Sequence, residues 1–395
     1  MSNRHPDDTT SRRLHVLHVS ASGEGGVANV ALGYIRDQVD RGWSVSVACS
    51  SRGLLGYDAR DAGARTYWWQ AEREPGRGVL GETLRLSRII AEADPDVVHL
   101  HSSKAGLVGR LALRNRVPTV FQPHAWSYLN ATGGVRAASL RWERFATRWA
   151  ALMVCVSDAE RTAGARLGID GRTVVIPNGV SLSSFRPQGN RDRSGARKLL
   201  GLAEAPTAVC VGELTPQKGQ RDLLLVWPEV LRQVPDARLV VIGDGPARGG
   251  LLRLAAELPS VTLVGARSDI SAWFAAADVV VVPSRWDGMS LVPLEAMACA
   301  RSVVATSVSG VVESVPDDAG AIVVPDDHAA MAAAVVKRLL DPDRAQEEGW
   351  VGRAHVEAHH DAHASAQELA RVYLRVVGER RAREANLIRR VPTGE

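Results

Sequence analysis

The sequence is short of lysine. Of 48 basic residues, only Lys104, Lys198, Lys218 and Lys337 are lysines. An ammonium is a compact point charge and a guanidinium a planar fork, so a lysine on a loop of an arginine-using chain is a position to inspect. The chain also lacks a strong charge imbalance. A net charge of +4 over 395 residues, with no RNA- or DNA-binding signature, excludes nucleic acid as the expected partner. Attraction to anionic membranes or phosphorylated ligands stays open. Paired cysteines are absent as well. Cys49, Cys155, Cys210 and Cys299 form no CxxC and each lies in or beside an apolar run, as buried thiols in a reducing compartment do, and no zinc site is expected. No run approaches the ~20 apolar residues of a membrane span. The opening MSNRHPDDTTSRR has no apolar signal-peptide stretch, so the expectation is a cytoplasmic protein.

What is present is an alternation. Short apolar runs (LHVLHVS, WSVSVACS, DVVHLHS, PTVFQPH, LMVCVSD, TVVIPNG) alternate with helical patterns over 27–41, 79–93, 105–115, 136–150 and 158–167. Runs that are apolar throughout predict parallel strands covered on both faces. The polar stretch SLSSFRPQGNRDRSGARK reads as a linker. The alternation then restarts with PTAVCVGEL, ARLVVIGDG, VTLVGA, DVVVVPS, SVVATSV and AIVVP, and helices near 219–233, 246–257, 268–276, 291–300 and 328–340. The expected architecture is α/β, with two Rossmann-like, doubly wound parallel-sheet domains facing an interdomain cleft. The expected boundaries are an unstructured 1–13, a first domain 14–180, a linker 181–203, a second domain 204–375 and a basic helix or tail 376–395. Ligands of such sheets bind beyond the carboxyl ends of the strands, so the loops there are the place to look.

Five such loops stand out. SASGEGGVANV carries Gly23, Gly25 and Gly26, yet has neither a Walker GK[ST] nor G-x-G-x-x-G. It predicts either close approach of a ligand to the backbone or a tight turn alone. HSSKAG follows the third run, and QPHAWSY places His124 at a strand end, where a histidine serves structure or chemistry. VGELTPQKGQ puts Lys218 before a helix, where an ammonium and backbone N–H groups can meet a phosphate. SRWDGMSLVPLEAMACA leads from a buried strand through Gly288, Met289 and Ser290 into a helix with Pro293 near its start. Its acids, Asp287 and Glu295, are eight positions apart. A glycosidase pair is not excluded by spacing, and a metal site would want further ligands nearby. A helix start that cradles a phosphate accounts for the glycine, the proline and the acids together. On this reading Glu295 lies in the first helical turn and accepts hydrogen bonds from a diol such as a ribose.

In the order GEGGV, DVVHLHSSKAG, QPHAWS, VCVSDAE, VVIPNGVSLSSFRP, VGELTPQKG, VVIGDGP and DGMSLVPLEAMACA, the motifs resemble those of retaining glycosyltransferases of family 4, over about 14 to 375. The resemblance implies a GT-B fold, a nucleoside-diphosphate sugar donor held mainly by the second domain and an acceptor held mainly by the first. It implies no prosthetic group and no metal. Its E-x(7)-E signature falls on Asp287 and Glu295. By resemblance Glu295 holds the donor ribose, and Asp287 lies against the transferred sugar. The N–H groups after Gly288, those of Met289, Ser290 and Leu291, serve the sugar and diphosphate. Lys218 neutralises the diphosphate, and His124 contacts the donor sugar near the reacting carbon. Gly25 and Gly26 let the first loop close over the phosphates, and Gly265 to Arg267 read the base. A UDP-sugar is the first expectation for the donor and GDP-mannose the second. The acceptor is a lipid-linked saccharide or a small molecule.

Two departures stand out. Glu213 occupies a place where the family commonly has arginine. An anion beside a diphosphate is unfavourable unless turned away or paired, so Glu213 points elsewhere, another arginine substitutes, or donor binding is unusual. Asp287 is one methylene shorter than the family's glutamate. The alternatives are a nucleotide-sugar epimerase or phosphorylase on the same fold, and a non-catalytic sugar-nucleotide-binding module. In VRAASLRWERFATRW, Arg141, Arg144 and Arg148 fall on one helix face and Trp142, Phe145 and Trp149 on another. Two readings stand: peripheral contact with an anionic membrane at its inner face, or a helix packed on its own domain with a solvated basic face. His355, His359 and His363 recur every four residues, a spacing that suits metal ligands but lies outside the strand-end loops.

Overall fold

The computed structural model of the protein describes residues 13–72, 76, 78–187 and 190–389, with the side chains of 130, 190–192 and 387–389 left out. The expected unstructured start lies outside these residues except for Arg13. The chain divides into two compact units. One comprises the described parts of Met1–Val156, Glu160–Ile176 and His363–Glu395; the other comprises Ser157–Ala159 and Pro177–Ala362.

The first unit is built on seven strands: β1 His15–Ser20, β2 Ser44–Cys49, β3 Arg65–Trp68, β4 Val97–His101, β5 Thr119–Gln122, β6 Leu152–Cys155 and β7 Thr173–Val175, ordered β3-β2-β1-β4-β5-β6-β7. Every pairing is parallel. The central strands β4, β5 and β6 are buried throughout, as strands covered on both faces must be. The edge strand β3 was not expected from the sequence. Its RTYW is only partly buried, so it lacks the continuous apolar run that marks the others.

The second unit has six strands: β8 Thr207–Val211, β9 Arg238–Ile242, β10 Val261–Gly265, β11 Val279–Val282, β12 Ser302–Thr306 and β13 Gly320–Val323, ordered β10-β9-β8-β11-β12-β13 and all parallel. Alternate residues of β8, β9 and β11 feed two opposite cores. Ala208, Cys210, Val241 and Val279 face one, and Val209, Val240 and Val280 the other, as the two-residue period of a strand requires.

Two expected boundaries are corrected. The linker 181–203 contains a helix, Asn190–Leu199, that belongs to the second unit. Arg197 is buried there, donating to Asp278 at 2.6 Å and to the Ala276 carbonyl at 3.0 Å, while Ala196 packs on Ala275 and Ala276. Its arginines made the segment look solvated, but this one serves a buried ion pair. The expected second domain, 204–375, also ends too late. The helix Ala362–Arg389 lies from His363 onward in the first unit. Tyr373 bonds His99 at 2.5 Å, Arg381 pairs with Asp96, and Glu379 takes both guanidinium nitrogens of Arg172, at 2.5 and 3.0 Å.

Among the described residues no helix is long and apolar enough to cross a membrane. The helix Gly133–Ala146 buries Glu143 and Ala146. Glu143 accepts from the buried Arg110 at 2.8 Å, and Arg110 lies 4.0 Å from the centre of the Phe121 ring.

Candidate functional site

In a parallel sheet the carboxyl ends of the strands share one edge, and the loops diverge where the strand order reverses. In the second unit that point lies between β8 and β11. Gly212, Glu213 and Lys218 follow β8, and Asp287 to Ser290 follow β11. The two loops are laced together. Gly219 has φ +65°, and a β-carbon there would lie 1.9 Å from the Pro283 carbonyl oxygen. The Arg285 N–H donates to the Gln217 carbonyl at 2.8 Å, and its guanidinium grips both oxygens of Asp222 at 2.7 Å. Asp222 lies in the first turn of the helix Gln220–Gln233, where the dipole favours an anion. Lys218 Nζ forms an ion pair with Asp287 Oδ2, and the Asp287 Oδ1 accepts the Gly288 N–H at 3.0 Å.

The β11 loop is held by its carbonyls. Asn178 donates to the Met289 oxygen at 2.7 Å, and the Gly310 N–H donates to that of Gly288 at 2.7 Å. A β-carbon at Gly310 would come within 2.1 Å of the Gly288 oxygen. Ser290 then caps the helix Leu291–Ala298 in extended conformation, with no side-chain cap bond. An uncapped helix start is a place for an anion, because its first N–H groups have no partner within the helix.

Glu295 requires a correction. It is the fifth residue of this helix, and the first turn holds no acid. The helix starts only at Leu291, so Glu295 sits past the reach of the N-terminal dipole. Desolvation acts instead and pushes its carboxyl up to about 7.

Glu213 is half-buried, and its carbonyl accepts from Gln220 at 3.0 Å. Arg285, the arginine of the adjoining loop, is held by Asp222. Gly265 ends β10 with φ +80°. Arg267 is exposed and forms two bonds to Asp269, at 2.9 and 2.8 Å. The structure therefore brings Lys218, Asp287, Gly288, Met289, Ser290, Leu291 and Glu295 onto two adjoining loops and one helix. Arg267 lies at the outer strand of the same sheet.

In the first unit the order reverses between β1 and β4. Gly25 and Gly26 open the helix Gly25–Asp40 after β1. Both are exposed, nothing lies within 4 Å of a β-carbon at either, and the Glu24 cap makes no side-chain bond. Gly25 has φ +79°. His124 follows β5 and has φ +59°, a backbone conformation that costs a non-glycine residue of order 1–3 kcal/mol and recurs at functional sites. Its Nε2 lies 3.1 Å from His101 Nδ1.

Arg285, Asp222, Asn178, Gly310 and His101 were not singled out by sequence. Asn178 and His101 stand inside motifs carried by the resemblance; the others act through chain reversals that no local pattern reveals. The histidine series gathers only in part, the rings of His355 and His359 lying 4.6 Å apart without His363. His359 Nδ1 bonds the His355 carbonyl at 3.1 Å, while His363 faces Asp37 at 3.3 Å. The helix Pro342–His359 ends before His363, so the four-residue spacing does not run along one helix.

Gly219→Ala adds a β-carbon at a positive φ and against Pro283. It is expected to destabilise the fold by about 2 kcal/mol or more in urea unfolding. A loss below about 0.5 kcal/mol would contradict the close approach of the two loops.

Residues 24–184 match the family described as Glycosyltransferase Family 4, and 205–341 the one described as Glycosyl transferases group 1. The chain is 33% identical over 327 residues to a GDP-mannose-dependent alpha-(1-6)-phosphatidylinositol monomannoside mannosyltransferase of Mycobacterium tuberculosis, covering 77% of this chain and 83% of that one. A GDP-mannose-dependent monoacylated alpha-(1-6)-phosphatidylinositol monomannoside mannosyltransferase of Corynebacterium glutamicum is 34% identical over 194 residues, 46% of this chain and about half, 51%, of that one. Among solved structures, Anabaena HepE in complex with UDP and glucose superposes with a TM-score of 0.79 at 23% identity, over 91% of this chain and 99% of that one. Two parallel-sheet units, ordered motifs on their strand-end loops and these likenesses have one conclusion: the chain belongs to glycosyltransferase family 4 and has the GT-B fold.

Proposed function

We propose that the protein is a retaining, metal-independent glycosyltransferase that moves a sugar from a nucleoside-diphosphate sugar to an acceptor hydroxyl. The observation that carries this reading is the Lys218–Asp287 pair beside the uncapped start of Leu291–Ala298. Asp287 holds the ammonium at the strand edge. When the donor binds, Lys218 turns to the diphosphate and the helix N–H groups add their partial positive charge. Together they stabilise the leaving diphosphate without a metal ion. Asp287, released, accepts from hydroxyls of the transferred sugar, and Glu295 accepts from the ribose. His124 contacts the sugar near the reacting carbon, Gly25 and Gly26 close over the phosphates, and Gly265 and Arg267 meet the base.

GDP-mannose is the proposed donor, because the relatives from Mycobacterium tuberculosis and Corynebacterium glutamicum bear it in their names. A glycolipid is the proposed acceptor for the same reason. The helix Gly133–Ala146 supports a membrane-bound acceptor. Val135 and Phe145 are exposed on it, and Phe145 clusters with Trp142 and Trp149 at ring distances of 5.0–6.2 Å. Arg136, Arg141, Arg144 and Arg148 are exposed nearby. Aromatic and basic side chains on one exposed helix suit a peripheral contact with anionic lipid.

Two measurements test the diphosphate site. With a chelator present, GDP at 100 times its dissociation constant is expected to stabilise the fold by about 2.7 kcal/mol, read as a rise in melting temperature, with UDP and ADP as comparison arms. Lys218→Ala is expected to lose about 100-fold or more in turnover. Unchanged turnover in that variant would reject the site.

Diol binding favours the ionised Glu295, whose carboxyl is raised by burial to about 7. Donor affinity is therefore expected to be full above pH 7 and to weaken as the pH falls through that value. Glu295→Gln should bind about tenfold more weakly at pH 8 and lose this pH dependence. An identical pH profile in wild type and variant would remove Glu295 from the ribose.

Vesicles rich in anionic lipid are expected to sediment the wild-type protein and to release it when Arg141, Arg144 and Phe145 are all changed to serine. Equal sedimentation of both would contradict the membrane reading.

A further inference from the structure

Four histidines gather: His18 within β1, His99 within β4, His101 at the carboxyl end of β4 and His124 just after β5. His18 and His99 are register partners, and His101 follows two residues along β4 on the same face. Three of the rings are fully buried. His124 Nε2 lies 3.1 Å from His101 Nδ1, His101 Nε2 lies 2.9 Å from His18 Nδ1, and His18 Nε2 lies 2.9 Å from Gln38 Oε1. The contacts form one line from His124 on its strained backbone to the buried amide of Gln38 on the helix Gly25–Asp40.

A neutral imidazole has one N–H and one bare nitrogen, so each contact fixes the next. An amide oxygen only accepts, so His18 carries its proton on Nε2 and its Nδ1 is bare. His101 must then donate from Nε2, which leaves its own Nδ1 bare. His124 must donate from Nε2, so the lone pair is on Nδ1. We propose that Gln38, His18 and His101 are positioning residues that set the tautomer of His124, presenting a proton acceptor, Nδ1, rather than an N–H. The direction of one buried amide thus becomes the hydrogen-bonding sense of a ring three contacts away.

The line requires neutral rings. Burial pushes His18 down to about 4 and His124 to about 3, and holds His99 and His101 well below the ordinary value. At neutral pH none competes by donating from both nitrogens. The second end of the amide is occupied too, since Gln38 bonds Tyr373, whose hydroxyl lies 2.5 Å from His99 Nδ1.

Nitrogens of His18, His99 and His101 also converge within 4.8 Å, close enough for a metal ion. The contacts favour the relay. His18 Nδ1 and His101 Nε2 are hydrogen-bonded to each other, so one of them carries a proton, whereas a metal needs a lone pair from both. Three neutral imidazoles would also leave a divalent charge unbalanced in a site that already disfavours charge.

The test uses the full chain with 15N-labelled histidine, reading tautomers from long-range nitrogen–proton correlations at pH 7.5, with His124→Gln assigning the signals of His124. The wild type is expected to show His124 protonated at Nε2 and bare at Nδ1. Gln38→Met removes the acceptor at similar volume and should give a mixture of both tautomers at His124. Gln38→Glu restores an oxygen acceptor and should restore the single form. A wild-type His124 protonated at Nδ1, a Gln38→Met spectrum unchanged at His124, or stoichiometric zinc in the purified protein would each overturn the relay. The assignment of a purpose to Nδ1 rests on the proposed contact between His124 and the donor sugar, and that fails separately. If the tautomers are as expected and His124→Ala still transfers sugar at the wild-type rate, the relay stands and the donor contact falls.

Discussion

The contact between Lys218 and Asp287 joins two loops that are 69 residues apart in sequence. Each partner supports the other: both side chains are largely withdrawn from water, and a lone charge there would be poorly solvated and without its counter-ion. The surrounding structure brings them together. Gly219 lets the backbone pass against Pro283, Arg285 locks onto Asp222, and Gly310 allows a carbonyl contact that any side chain would block. On the proposed function, a diphosphate takes over the ammonium from the carboxylate, so the cation keeps an anionic partner throughout.

The first unit places its ionisable side chains differently. The strands β1 and β4 and the residues just after β5 gather imidazoles, an amide and a phenol instead of charges, and desolvation keeps the rings neutral. The loops of the second unit thus carry a charged pair, and the strands of the first carry neutral, hydrogen-bonded rings. The helix Ala362–Arg389 contributes Tyr373 to this neutral set.

Much of the fold could be read from the sequence because parallel strands buried on both faces are written as unbroken apolar runs. DVVVVPS and DVVHLHS were legible for that reason. RTYW was not, since an edge strand is half-wet and alternates. The helix Asn190–Leu199 was read as a linker because charge marks solvent in a local window, while Arg197 spends its charge on a buried aspartate. Of the site, Lys218 and the Asp287–Leu291 turn were legible from loop chemistry and from resemblance. Their lacing was not: Arg285 to Asp222 and Gly310 to Gly288 are products of topology. Glu295 was found but placed one turn too early, and its environment raises its affinity for a proton rather than lowering it.

The central claim is that Lys218, paired with Asp287, belongs to a diphosphate site. A crystal structure of the protein with GDP bound tests it most directly. The account predicts the diphosphate at the start of the helix Leu291–Ala298, with Lys218 turned from Asp287 onto a phosphate oxygen. Nucleotide bound elsewhere, or bound there with the Lys218–Asp287 pair unbroken, would contradict it.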